Sequence, residues 1–193
     1  MNKLEQIVAF NKSFVENKDY EPYLTDRYPD KRMVIVTCMD TRLTELLPKA
    51  LNLKNGDAKI IKNAGGIVTQ PFGNIMRSIL VAVYELGAEE VIVIGHYECG
   101  MTGLNPEIVI DHMKENGIKD DTIDTLMHSG INLKRWLTGF DSVQESVENS
   151  VNIIRNHPLL PPGTAVHGFI IDPKTGGLDL RTDGYKHLKA KQS

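Results

Sequence analysis

Four short runs rich in β-branched and apolar residues, MVIVT (33–37), AKIIK (58–62), EVIVIG (90–95) and VHGFIID (166–172), are set apart by stretches of helical character. Such runs read as strands. Between the second and third lies NIMRSILVAVYELG, where Ile75, Ile79, Leu80, Val83 and Leu86 recur at helical spacing before Gly87 stops the pattern, which predicts a buried crossover helix. DSVQESVENSVNIIRN predicts a second amphipathic helix, with Ser142 and Glu145 as a capping box and Val143, Val147, Val151 and Ile154 along one face. Strand and helix in alternation specify an α/β fold: a mainly parallel, doubly wound sheet flanked by helices, with right-handed crossovers. In IIDPKTGGLDL, Pro173, Gly176 and Gly177 supply a turn into a returning C-terminal edge strand. The N-terminal LEQIVAFNKSFVEN reads as a helical arm outside the sheet, suited to packing on a partner subunit.

At 193 residues, with no repeat, low-complexity segment or long linker, the chain is expected to form a single domain over 1–193. A formal charge of -3 offers no basic field for nucleic acid or anionic lipid, which favours a small-molecule ligand. The longest apolar stretch, ILVAVY at 79–84, is too short to span a bilayer, and MNKLEQIVAFNKSF lacks a secretory apolar region with a cleavage site. No membrane association and a cytoplasmic location are therefore expected. In a reducing compartment the chain's two cysteines point to metal binding or catalysis rather than a disulfide.

Both cysteines stand where strands end. The first strand runs into Cys38-Met39-Asp40-Thr41-Arg42; in an extended segment Cys38, Asp40 and Arg42 would share one side, with Met39 and Thr41 opposite. The third strand runs into His96-Tyr97-Glu98-Cys99. Ligands of open α/β sheets gather beyond the carboxyl ends of strands at the point where strand order reverses. If strands one and three are neighbours, Cys38, Asp40, His96 and Cys99 meet in one crevice. Two thiols, an imidazole and a carboxylate match the preferences of Zn2+. A lone buried cysteine at a strand end is usually core filler, but two at equivalent ends, each beside another ligand type, argue for a metal site.

These residues resemble the β-class carbonic anhydrases, whose hallmarks are C-x-D-x-R followed by H-x-x-C, with supporting likeness in KNAGGIV (62–68) and CGM (99–101). The resemblance is specific over residues 30 to 105 and looser toward the C-terminal strands. It implies a parallel-sheet enzyme, at least a homodimer, that hydrates CO2 reversibly to bicarbonate and a proton. Zn2+ would be held by Cys38, His96 and Cys99, with the fourth position taken by water or by Asp40. Asp40 and Arg42 would carry the catalytic gate: Asp40 on zinc closes the site, and Asp40 captured by Arg42 opens it. The chain departs from many members after NAGG, where Gln70, Pro71 and Phe72 fill a region that often carries an acidic residue, at Leu80 in the following helix, where many have an S-x-E-Y start, and at Glu98, which stands where aspartate is common.

The same ligands would serve a hydrolase of a CO2 analogue, carbon disulfide or carbonyl sulfide. A non-catalytic zinc module with Asp40 as permanent fourth ligand is a further reading, although such a site has little use for Arg42. Nucleotide binding lacks both a G-x-G-x-x-G and a G-x-x-x-x-G-K-[ST] motif. The remaining histidines, His112, His128, His157, His167 and His187, read mostly as surface residues, with His167 a sheet histidine whose hydrogen bonds are met. Asp57 reads as a turn residue, and Gly65 and Gly66 either as a turn or as backbone that approaches substrate. Two thiolates donate more charge to a metal than neutral imidazoles, so water at its open position should lose its proton at higher pH than in an all-histidine site. Hydration should therefore accelerate into the alkaline range; a rate that stays flat from mildly acidic to alkaline pH would contradict this.

Overall fold

The computed structural model describes residues 1–190. All four β-rich runs are strands, β1 (Met33–Cys38), β2 (Ala58–Asn63), β3 (Glu90–His96) and β4 (Ala165–Ile171), and β5 (Leu178–Thr182) follows after a turn. They form one sheet in the order β2-β1-β3-β4-β5, parallel except for β5, which returns antiparallel along β4. From β1 the chain adds β2 on one side and then β3 on the other. The carboxyl ends of β1 and β3 thus flank the point where strand order reverses, the usual place for a ligand crevice.

The helices are α1 (Lys3–Glu16), α2 (Leu43–Ala50), α3 (Asn74–Tyr84), α4 (Pro106–Glu115), α5 (Asp120–His128), α6 (Leu133–Leu137), α7 (Val143–Arg155) and α8 (Gly184–Ala190), of which α2, α3, α7 and α8 pack on the sheet. Side chains alternate across each strand, which divides the core in two. Val34, Val36, Val91, Val93, Val166 and Ile170 pack with α3 and α7, whereas Ile35, Ile94 and Ile171 pack with Leu43 and Leu47 of α2.

In α7 the predicted stripe is the buried one: Val143, Val147, Val151 and Ile154 all face the sheet. Of the predicted capping box the first half is present, with the Ser142 hydroxyl accepting from the Glu145 N–H at 3.3 Å. This helix lies close because two strand positions beneath it have no side chain. A Cβ on Gly95 would stand 2.7 Å from a Val147 methyl, and one on Gly168 would stand 2.9 Å from the other. For α3 the predicted stripe is shifted: Met76, Ile79 and Ala82 are buried, while Ile75, Leu80 and Val83 only flank them. The apolar residues of this helix cover so much of its circumference that their spacing does not single out the face.

Residues 106–137, to which the sequence reading assigned no element, fold as α4, α5 and α6 around a small separate cluster of Ile110, Ile123 and Leu133. Each helix buries a single residue of this kind, too few to show a period. Helix α1 has no buried residue and stands outside the sheet, with Leu4, Ile7, Val8 and Phe10 exposed. No helix among the described residues is long and apolar enough to cross a membrane.

Surface placement holds for His112 and His128 but not for His157, which is buried, while His167 is a buried sheet histidine as expected but leaves its Nε2 without a hydrogen-bond partner. His167 accepts from the Gly184 N–H at 3.2 Å through Nδ1, packs edge-on against Tyr185, and places Nε2 3.6 Å from the Glu90 carboxylate. Asp57 is the turn residue expected, accepting from the Lys54 N–H at 3.0 Å.

Ile154→Ala should cost about 2–5 kcal/mol through the cavity it leaves, and Gly168→Ala about 1–3 kcal/mol through overpacking under α7. Urea denaturation measures both. A Gly168→Ala loss below about 0.5 kcal/mol would mean that α7 can retreat freely.

Candidate metal centre

Cys38 closes β1 and His96 closes β3. The register Thr37↔Ile94 sets these ends side by side, and just beneath them the buried Thr37 hydroxyl donates to the Ile94 carbonyl at 3.0 Å. Cys99 returns to the same point from the loop after β3, with its Sγ 3.9 Å from that of Cys38. The ligand atoms of Cys38, His96 and Cys99 all lie within 4.8 Å of one another, and all three residues are buried. Both cysteines are free thiols.

The trio fits a tetrahedral ion. With Zn–S bonds of about 2.3 Å, two sulfurs on one tetrahedron stand roughly 3.8 Å apart, close to the separation here. His96 Nδ1 lies 2.8 Å from the Tyr97 carbonyl and donates to it, which leaves the lone pair on Nε2. That atom is buried without a hydrogen-bond partner. An orphaned imidazole nitrogen facing two thiols is costly unless a cation occupies the space between them.

Electrostatics in the metal-free chain point the same way. Burial pushes the Cys38 thiol up, but the His96 ring and the N–H groups of Asp40 and Gly65 outweigh it and bring Cys38 down to about 7. Cys99 is pushed up to about 11, chiefly by burial, although the Met101 N–H opposes this. One thiol is thus ready to bind metal near neutrality, and the other is freed only when a cation compensates its charge.

Gly65 and Gly66 belong to this centre, a role left open by the sequence. Both are left-handed, with φ of 82° and 64°. A Cβ on Gly66 would lie 2.8 Å from the Cys38 backbone nitrogen, so only bare backbone fits against the end of β1.

The predicted one-sided alignment of Cys38, Asp40 and Arg42 does not come from strand alternation. β1 ends at Cys38, and Arg42 is already helical, at φ -62° and ψ -24°, as the residue before α2. A tight turn gathers the group instead: Asp40 Oδ1 accepts from the Arg42 backbone N–H at 2.9 Å. The Arg42 guanidinium then grips both carboxylate oxygens, Nε to Oδ1 at 3.0 Å and Nη2 to Oδ2 at 2.8 Å. This pairing, opposed by slight burial, holds the Asp40 carboxyl at about 2. Asp40 stands outside the Cys-His-Cys trio but near it, with Oδ2 3.7 Å from His96 Nε2. Nothing in the motif spacing announced the other partners of Arg42, the carbonyl and carboxylate of Glu98, at 3.1 and 3.4 Å.

An open groove of about 750 Å³ adjoins the centre, lined among others by Asn63, Ala64, Gln70, Met101 and Trp136. Gln70 lies on its wall, while Phe72 is exposed and packs on His157.

A family model described as carbonic anhydrase matches residues 33–178. A crystal structure of a β-carbonic anhydrase of Trichomonas vaginalis superimposes with a TM-score of 0.86 at 35% identity, covering 96% of this chain and 100% of that one. The chain belongs to the β-carbonic anhydrase family. Among its relatives, the Bacillus subtilis (strain 168) protein named "Putative carbonic anhydrase YvdA" is 59% identical over 186 residues, 96% of this chain and 94% of the relative. A carbon disulfide hydrolase of Acidithiobacillus thiooxidans is 30% identical over 158 residues, 77% of this chain and 76% of the relative. The β-carbonic anhydrase fold thus spans nearly the whole chain, with its Cys-His-Cys cluster at the carboxyl ends of the neighbouring strands β1 and β3.

Metal analysis should find about one Zn2+ per chain, with Cys38→Ser, His96→Ala and Cys99→Ser each weakening binding by more than the roughly 10–100-fold typical of residues behind the ligands. Since the thiols must lose protons, zinc binding at neutral pH should release protons and weaken as pH falls. Calorimetry in buffers of different ionisation enthalpy measures this release; uptake of metal without it would contradict the ligand set.

Proposed function

We propose that the protein catalyses the reversible hydration of CO2 to bicarbonate and a proton, with Zn2+ held by Cys38, His96 and Cys99 and access to the fourth position governed by Asp40 and Arg42. The observation that carries this reading is the two-point grip of Arg42 on Asp40, beside a trio of ligands that leaves one tetrahedral position without a protein donor. When bound there, zinc supplies Lewis acidity and lowers the pKa of a water at its open position.

The residues do the rest. Tyr97 fixes the His96 tautomer, and the N–H groups of Gly65, Asp40 and Met101 stabilise the thiolates. Arg42 holds Asp40 ionised and turned aside. Because Asp40 titrates at about 2, its carboxylate is only an acceptor at working pH. It therefore favours an oxygen that carries a proton to donate at the neighbouring position, which suits water over a bare oxyanion. Released from Arg42, the same carboxylate has a short path to the metal position, since Oδ2 is already 3.7 Å from His96 Nε2. The pair works as a gate.

We infer also that the enzyme acts in the cytoplasm as a homodimer or larger homo-oligomer; the exposed apolar residues of α1 support the assembly. Likeness to a carbon disulfide hydrolase favours one alternative, hydrolysis of carbon disulfide or carbonyl sulfide at the same centre.

Stopped-flow assays with CO2, carbonyl sulfide and carbon disulfide on zinc-quantified protein decide between them. Activity is expected with CO2 foremost. Arg42 holds Asp40 through charge-assisted hydrogen bonds weakened by exposure to solvent, so Arg42→Ala should slow hydration roughly tenfold while zinc is retained. Fully loaded protein inert toward CO2 at every pH would overturn the assignment, and turnover of the sulfur analogues alone would replace it.

A further inference from the structure

Glu98 sits between His96 and Cys99 without facing the metal position. It is one of the few non-glycine residues in left-handed conformation, at φ 54°. Were only the backbone needed there, glycine would adopt it without strain. Its side chain must contribute something that glycine lacks. That backbone lets one residue present two acceptors to one guanidinium: the carbonyl to Arg42 Nη2 at 3.1 Å and the carboxylate Oε2 to Nη1 at 3.4 Å. The other oxygen, Oε1, receives Lys174 Nζ at 2.5 Å.

Lys174 is itself placed by a turn. Asp172, directly after β4, accepts from the Lys174 N–H at 2.7 Å and from the Thr175 N–H at 3.2 Å, while the Gly176 N–H donates to the Asp172 carbonyl at 2.8 Å. At the strand end the Tyr97 N–H donates to the Ile171 carbonyl at 3.1 Å, so the loop of Glu98 and the turn of Lys174 are joined at their roots. A chain of charge runs Lys174, Glu98, Arg42, Asp40, from the turn between β4 and β5 to the edge of the metal centre.

We propose that Glu98 and Lys174 are positioning residues that hold the Arg42 guanidinium in the plane from which it takes both oxygens of Asp40, and so set how often Asp40 stands off the metal position. This deepens the gate reading and rests on it. Five N–H groups of Arg42 point in fixed directions, so fixing Nη1 and Nη2 on Glu98 fixes where Nε and the rest of the fork can aim. Without Glu98 the guanidinium keeps Asp40 as a partner but can rotate about its long side chain. Glu98 and Lys174 are exposed, so the clamp is weak enough to let the gate move: exposed ion pairs shift populations by about two- to fivefold, not by orders of magnitude. Lys174 lies far along the sequence from both motifs, so sequence spacing does not reveal it.

The test reads Arg42 directly, on metal-free full-length protein. In 15N-labelled protein the Arg42 Nε–Hε signal, assigned by its loss in Arg42→Lys, should be sharp and slow to exchange. Glu98→Gln and Lys174→Met should each speed that exchange about two- to fivefold, and Lys174→Arg should restore it. The backbone amide spectrum shows whether each variant is folded; Lys174, at an exposed turn, provides the variant safe from misfolding. On the zinc-loaded enzyme the same variants should lower kcat in the same order with KM and zinc content unchanged. Arg42 exchange that is fast in the wild type, or unmoved by either substitution, would overturn the proposal. Exchange that responds in a protein inert toward CO2 would support the clamp and refute the hydration reading, so the two failures are distinguishable.

Discussion

The pairing of β1 with β3 is the constraint on which the rest of the molecule depends. Parallel strands need a crossover between them, and this chain uses two, through α2 with β2 and then through α3, to bring distant segments edge to edge. Once Thr37 lies opposite Ile94, Cys38 and His96 close neighbouring strands, and Cys99 has only a short loop to cover. The core exists to hold that register. A slip of one residue would turn Val34, Val36, Val91 and Val93 away from α3 and α7, so the packing that stabilises the sheet also fixes the ligand positions.

The centre so formed is unfavourable by itself. Two thiolates about 4 Å apart repel by roughly 4 kcal/mol at an effective dielectric of 20, a penalty added to the burial that already pushes Cys99 up to about 11. A divalent cation reverses the sign of that term. The chain prepares for it with local backbone donors, and Gly66 is a glycine because the end of β1 passes too close for any side chain. Asp40 is the exception among the acids of the site: Arg42 neutralises it before any metal arrives. A carboxylate held in this way is available without being committed, which a closed structural site would not require.

Much of this was legible in the sequence, and the limits have physical causes. Strand positions could be read because buried parallel strands are short runs of apolar residues, and Val143, Val147, Val151 and Ile154 could be read because α7 buries one clean stripe. Cys38, His96 and Cys99 could be placed together because cysteine is scarce and strand ends converge at the switch point. The grouping of Asp40 and Arg42 was anticipated for the wrong reason, since a turn replaced the strand alternation. α4, α5 and α6 escaped notice because each buries too little to set a period. The burial of His157 and the reach of Lys174 to Glu98 depend on tertiary approach, which local pattern does not encode.

The central claim is that three residues bind zinc while Asp40, paired with Arg42, leaves the fourth position open. Anomalous diffraction at the zinc edge from crystals of the loaded protein at alkaline pH tests it most directly. One peak bonded to Cys38 Sγ, His96 Nε2 and Cys99 Sγ, with Asp40 still on Arg42, is the predicted result. A peak elsewhere, or Asp40 bonded to zinc at that pH, would contradict it.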